Sequence, residues 1–381
     1  MFVLRVVVCF VLASAAPQGN IDAILRGTEL EFALMIHRHG DRTPVESFIA
    51  LSNDPATLTK LSEPYGWGQL TDVGKKRSYA LGKEIRQRYG SLIPPKYNYS
   101  EIYIRSTDST RAKMTILAVL AAIYPGPSSW DQSLSWEPVP YTTVPAKYDF
   151  ILSNLNCPEL MEAVERMYST KSSALEPYQE VTQLLTKKLG LDFNQYPILT
   201  FGAYDLFVSQ LSLGLPLDPE IQAELPEISK AADVAFDIFF GNNAYSSLAA
   251  GVLLNEFLTY AKQVATGGDT QKIRIYSAHD LSVYAFESVT QIANKPGIPK
   301  YASLYSLELR RVKATGKYVV LPVYIPSPGE EPVYLQVIGC GQLCLLEDFV
   351  AITSPYARDV DTWRTECGFT HDLVVDDSSI A

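Results

Sequence analysis

Apolar and polar positions follow two different periods along this chain, and the informative places are where one period gives way to the other. Residues 31–36 (EFALMI) read as a buried strand. It runs straight into His37-Arg38-His39-Gly40-Asp41-Arg42-Thr43-Pro44, where glycine and proline end any regular element. After Thr71, an N-cap residue, Leu81, Ile85 and Tyr89 recur at four-residue spacing up to Gly90, which predicts an amphipathic helix. Its Lys75, Lys76, Arg77, Lys83, Arg86 and Arg88 read as a solvated face. A second strand, 101–104, delivers Arg105 and a capping cluster, Ser106-Thr107-Asp108-Ser109, ahead of a helical run over 111–124. A third, 272–276, alternates and releases Ser277-Ala278-His279-Asp280 before another helical stretch.

Three polar clusters thus share one topological position, the carboxyl end of a strand. In open α/β sheets ligands bind there, so the three junctions are expected to converge although they are far apart in sequence. Residues 137–244 lack strand alternation and carry helical patterns such as 161–167 and 178–189 between proline-rich breaks. The organisation expected is a discontinuous α/β domain, 22–136 and 245–369, with a helical insertion at 137–244.

Composition adds limits. Of 381 residues 47% are hydrophobic and 19% charged, with 24 Pro and 22 Gly spread throughout, which is the profile of a globular protein with a sizeable core and excludes large-scale disorder. Arg5, an apolar run over 6–12 and the small-residue exit Ala13-Ser14-Ala15 read as a signal peptide for residues 1–15, the run being too short to span a bilayer. No second spanning stretch follows, and the tail 370–381 reads as flexible, acidic and without an anchor pattern. The mature chain is therefore expected to be exported and soluble. Loss of Cys9 with the signal leaves Cys157, Cys340, Cys344 and Cys367, an even set that predicts two disulfides in one of three connectivities. Asn98-Tyr99-Ser100 is a glycosylation sequon in a Pro/Tyr-rich loop. A formal charge of −10 argues against nucleic acid or an anionic membrane as partner, so an anionic substrate must be captured locally.

The chemistry for such capture lies at the first junction. Arg38-His39-Gly40-x-Arg42-x-Pro44 fixes five residues in seven positions, a pattern whose chance occurrence in a chain this long is on the order of 10⁻⁴. A guanidinium offers forked donors to phosphate oxygens, Gly40 lets the backbone approach the anion, and an imidazole nitrogen can attack phosphorus. A merely packed His39 would leave the second His-Asp junction unexplained. His37, two residues upstream, has no partner and is assigned no role. Arg105 gains weight from the Ser-Thr-Asp that follows it, whereas Arg111, on the first turns of a helix, reads as solvated. Rival chemistries lack their parts. No mature cysteine has an arginine six residues on, Asp359-Val360-Asp361 lacks the threonine of an aspartyl-phosphate motif, and four histidines are too few for a two-metal site. Neither metal nor cofactor is expected.

Through residues 38–44, Gly66-Trp67-Gly68-Gln69-Leu70-Thr71, Ile104-Arg105-Ser106-Thr107-Asp108, Ser277-Ala278-His279-Asp280 and the cysteine-rich end, the chain resembles the histidine acid phosphatases, the family of the prostatic, lysosomal and insect venom enzymes. The resemblance implies a mixed-sheet α/β domain with helices on both faces plus a smaller, mostly helical inserted domain. It implies hydrolysis of small-molecule or phosphoprotein phosphate monoesters through a phosphohistidine on His39. Arg38, Arg42, Arg105 and His279 would hold the phosphate, and Asp280 would protonate the leaving group. It also implies Cys157–Cys367 and Cys340–Cys344 pairing, a homodimer, and secretion, with lysosomal delivery as the other destination. A further cysteine pair of vertebrate relatives has no counterpart, since Leu304 follows Tyr301-Ala302-Ser303. His279-Asp280 stands where many phytases read His-Ala-Glu, which favours a general monoesterase. A binding protein that kept the fold and lost catalysis is the alternative, and the six catalytic residues all present speak against it.

Overall fold

A computed structural model describes residues 18–127, 131, 133–152, 156–169 and 171–372; the expected signal peptide and the end of the tail lie outside them. The strands are β1 (Thr28–Arg38), β2 (Ile102–Thr107), β3 (Thr142–Val144), β4 (Ile273–Ala278), β5 (Leu304–Val312), β6 (Tyr318–Ile325), β7 (Val333–Tyr334) and β8 (Cys344–Leu345). They form one sheet in the order β3-β2-β4-β1-β5-β6-β7, with β8 also paired to β6. β3, β2, β4 and β1 run parallel, while β5 to β8 add antiparallel partners. The sheet is therefore mixed.

β1 lies at the centre and its apolar run is buried on both faces, as a strand between two helical layers must be. Ala33, Met35, Ile102, Ile104, Ile273 and Ile275 face the helices Asp72–Tyr89 and Thr110–Ile123. Phe32, Leu34, Ile36 and Leu307 face the other way, towards the helices Asn243–Ala265, Asp280–Val289, Leu346–Thr353 and Val360–Cys367. Each fully buried large apolar side chain in these layers is worth roughly 1.5–3 kcal/mol. A separate core of Val181, Leu185, Phe193, Phe207, Ile221 and Ile228 holds together the helices Gln179–Leu189, Ile198–Ser212 and Pro219–Phe240.

Segment 137–244 departs from its expected character at its start. Thr142–Val144 is an edge strand pairing with Arg105–Thr107, a three-residue element too short to leave an alternation pattern. The helix Pro158–Ser169 contributes Leu160 to the main core, and Cys157 just before it is bonded to Cys367. A second disulfide joins Cys340 to Cys344. Among the described residues no helix is long and apolar enough to cross a membrane. The basic face of the Asp72–Tyr89 helix is only partly solvated. Arg88 pairs with buried Glu308 at 2.7 Å, Arg86 donates to the carbonyls of Ile93 and Pro94, and Arg77 pairs with Asp41 at 2.6 Å.

Candidate active site

Parallel β1 and β4 are neighbours in register, Arg38 opposite Ala278, so their carboxyl ends deliver the two polar junctions side by side. His39 follows β1 and is pinned by its backbone: its N–H donates to Ala278 O and its carbonyl accepts from Ala302 N, both at 3.0 Å. Its side chain is buried, with Nδ1 2.8 Å from Gly40 O. A carbonyl can only accept, so Nδ1 carries the proton and Nε2 keeps the lone pair. Burial first, then the charges of Arg111 and Arg38, hold the His39 pKa well below its usual value, which favours the neutral imidazole.

His279, the N-cap residue of the Asp280–Val289 helix, stands 5.4 Å from His39 ring to ring. Its Nδ1 is 3.3 Å from Arg111 Nη2, and a guanidinium can only donate. Nε2 therefore carries the hydrogen and donates to Thr107 Oγ1 at 3.1 Å. Burial and the same arginines hold its pKa down as well.

Arg38 lies face-on to the Tyr301 ring at 4.3 Å, donates to Pro299 O at 2.8 Å and pairs with Asp280 at 2.8 Å and Asp205 at 3.4 Å. Arg42 donates from one nitrogen, Nη2, to both oxygens of Asp205, at 2.9 and 2.7 Å. Burial alone would lower the Arg42 pKa; the Asp205 carboxylate outweighs it and raises the pKa, fixing the charge. Nε of Arg38, Arg42 and Arg111 is in each case buried with no acceptor among the described residues. Such a donor deficit is costly in a dry site and is what an oxyanion would satisfy. Three guanidiniums against the carboxylates of Asp205 and Asp280 leave a net positive centre inside an acidic protein.

The junctions thus bring together Arg38, His39, Arg42, His279 and Asp280. Arg105 is not with them. Its guanidinium is fully buried against Asp149 at 2.8 Å, and burial, outweighed by that carboxylate, leaves its pKa raised. Arg105, expected in this cluster, lies outside it, while Arg111, expected to be solvated, lies within it. Ser109 is the N-cap of the Thr110–Ile123 helix, so Arg111 falls in the first turn, where the helix meets the strand ends and its side chain reaches His279. Burial and the neighbouring Arg42 lower its pKa to about 10, still a full charge near neutrality. The cue was present in Ser-Thr-Asp-Ser-Thr-Arg. A capping cluster also directs whatever side chain occupies the first turn behind it.

Gly40 is required on the side of the loop facing a helix. A Cβ there would sit 2.5 Å from Gly74 O and 2.6 Å from Ser78 Oγ, so the glycine lets the loop press against the Asp72–Tyr89 helix. Asp41 points away from His39, accepting from Arg77 and Ser212. His37 is buried, its Nδ1 on Arg38 O. Asp205, absent from the expectation, comes from the Ile198–Ser212 helix. Tyr301, also unforeseen, is held by Ser209 at 2.9 Å. Among the described residues no group of side chains could hold a metal ion.

A buried imidazole among guanidiniums with donors to spare is chemistry suited to an oxyanion. The family pattern of the histidine phosphatase superfamily (branch 2) matches residues 29–321, and the chain belongs to that family. It is a phosphatase, and the family supports hydrolysis of phosphate monoesters through a phosphohistidine. The chain is 33% identical to prostatic acid phosphatase of Bos taurus over 91% of its own length and 90% of the relative's. It is 30% identical to lysosomal acid phosphatase of Xenopus laevis over 94% and 83%. Among solved structures the phytase of Citrobacter braakii superposes with a TM-score of 0.64 at 14% identity, over 90% of this chain and all of that one. The Klebsiella sp. ASR1 phytase follows at 0.63 and 18%, over 88% and 98%. At those identities the likeness is one of fold.

Proposed function

We propose that this chain is an exported acid phosphatase in which His39 is the nucleophile and Asp280 the general acid. The observation that carries the reading is the neutral His39, its Nδ1 proton spent on Gly40 O, set among three guanidiniums with unsatisfied donors. Arg38, Arg42, Arg111 and His279 would take the phosphate oxygens. His39 Nε2 would attack phosphorus, forming a P–N bond as the bond to the ester oxygen breaks, and Asp280 would give that oxygen its proton. Water, losing a proton to the Asp280 carboxylate, would then attack phosphorus and break the P–N bond, releasing phosphate and restoring neutral His39. Small-molecule and phosphoprotein monoesters are the substrates proposed, with turnover best below neutrality.

Quenching turnover of labelled substrate under alkaline conditions tests the intermediate. An acid-labile, base-stable adduct on His39 is the expected product, and near-normal turnover by His39→Ala would overturn the assignment. Export, to the outside or to lysosomes, rests on residues 1–15 and on the lysosome named for some of the relatives, and amino-terminal sequencing of the mature protein tests it. A homodimer is proposed on the resemblance alone, with sedimentation as its check.

A further inference from the structure

At the amino-terminal ends of β2 and β4, away from His39, lies a crevice of about 410 Å³ walled by Tyr97, Tyr99, Tyr103, Tyr141, Phe150 and Tyr260. Its floor holds Arg274, stacked between the rings of Tyr103 and Tyr260 at 4.0 and 4.2 Å, with Glu256 and Gln271 beside it. Aromatic faces with a few charged and amide groups between them suit a saccharide, whose ring C–H faces stack on tyrosine while its hydroxyls seek polar partners. At the rim Tyr99 is 72% exposed, more than any other large hydrophobic side chain among the described residues.

Asn98 of the sequon sits between the two rim tyrosines, and is itself exposed. Its Oδ1 accepts from Ser100 N at 3.1 Å and from Ser100 Oγ at 3.0 Å, which turns the carboxamide oxygen inward and leaves the amide nitrogen outside the turn. Gln271 Nε2 donates to Tyr99 O at 2.7 Å and ties this turn to the loop before β4, across the crevice mouth. A sugar attached to Asn98 would start at the edge of an aromatic surface that nothing else covers among the described residues.

We propose that Asn98 carries an N-linked saccharide whose first units lie in this crevice and brace the turn against β2 and β4. The proposal rests on the export reading above. The donor would be an oligosaccharide on a lipid diphosphate: the sugar's anomeric C–O bond to diphosphate breaks, a C–N bond forms to Asn98 Nδ2, and the nitrogen loses one proton.

The test uses the full chain secreted from glycosylating cells, with glycopeptide mass spectrometry at Asn98 and thermal melting. Asn98→Gln should lower Tm by about 2 °C, on the order of 1 kcal/mol for a chain of this size, with aryl phosphate turnover unchanged. Protein from cells that do not glycosylate gives the direct cost of losing the Asn98–Ser100 hydrogen bonds, and beyond that cost the substitution should lose nothing in a Tyr99→Ala background. A bare Asn98 on a chain with a processed amino terminus overturns the proposal and leaves export standing; a bare Asn98 with residues 1–15 retained sinks both. A glycan whose removal costs the same with and without Tyr99 refutes its place in the crevice.

Discussion

Arg38 Nη2 and Asp280 Oδ2 meet at 2.8 Å, so the residue proposed to hold the phosphate also holds the residue proposed to protonate the leaving group. An incoming dianion competes with Asp280 for that guanidinium, which couples substrate capture to release of the acid. Asp280→Asn should therefore lose about 100-fold or more in kcat on alkyl phosphates, whose leaving oxygen needs a proton, and under about 10-fold on nitrophenyl phosphate. Asp280 also accepts from Leu281 N at 2.8 Å in the first turn of its helix. If both substrates lose equally and Tm falls, that helix-end role is its whole contribution.

Arg111 and Arg105 should separate binding from stability. Arg111→Ala is expected to raise KM and the inhibition constant for inorganic phosphate at least tenfold, and Arg111→Lys should not restore them, because a point charge lacks the fork. Arg105→Ala, which strands Asp149 in the core, should cost about 3–5 kcal/mol in urea unfolding with little change in KM. The reverse pattern would return Arg105 to the site.

Three buried histidines set a pH dependence of stability. Burial lowers His37 to about 4 and holds His39 and His279 well below 6.5. Below pH 6.5 the unfolded chain takes up protons that the folded chain refuses, so this stability is complete above that pH and is lost as pH falls towards the folded values. Each histidine contributes a slope of up to about 1.4 kcal/mol per pH unit. Urea midpoints at pH 7, 5.5 and 4.5 should fall in that order, and His37→Gln should flatten the decline by roughly a third. An unchanged slope in His37→Gln would show that His37 takes up its proton in the folded chain.

Glu287 runs the opposite way. Both its carboxyl oxygens are buried without a partner among the described residues, and burial raises its pKa well above the usual carboxylate range. Its proton favours the fold in acid, and that contribution disappears as pH rises through the folded pKa. Glu287→Gln should stabilise the protein by about 1–3 kcal/mol at neutral pH and by much less at pH 4. A loss of stability at neutral pH would mean that the carboxylate has a partner.

What could be read from the chain followed from contiguity. Residues 31–44 place an apolar strand, its breakers and the Arg-His-Gly cluster in one stretch, and the second His-Asp junction repeats the plan at 272–280. Asp205 could not be found this way: it is the one charge on a mostly apolar helix, separated by 167 positions from Arg38, and only packing of that helix brings it there. Arg105 misled because adjacency to Ser-Thr-Asp says nothing about where a strand residue points; the crevice side of β2 took it to Asp149. Gly40 was visible as a requirement, but its cause lay in the carbonyl of Gly74, another element altogether.

The contact of both Asp205 oxygens with Arg42, and the reach of Asp205 to Arg38, makes the proposed site a joint product of two chain regions. Until the Ile198–Ser212 helix docks, Arg42 lacks its carboxylate and Arg38 keeps only Asp280, so two like charges repel across the strand end with one counter-ion in place of two. The geometry of the arginine pair is therefore complete only when that helix is in place. A chain in which that helix has not yet docked would lack the carboxylate that ties the two guanidiniums to one geometry.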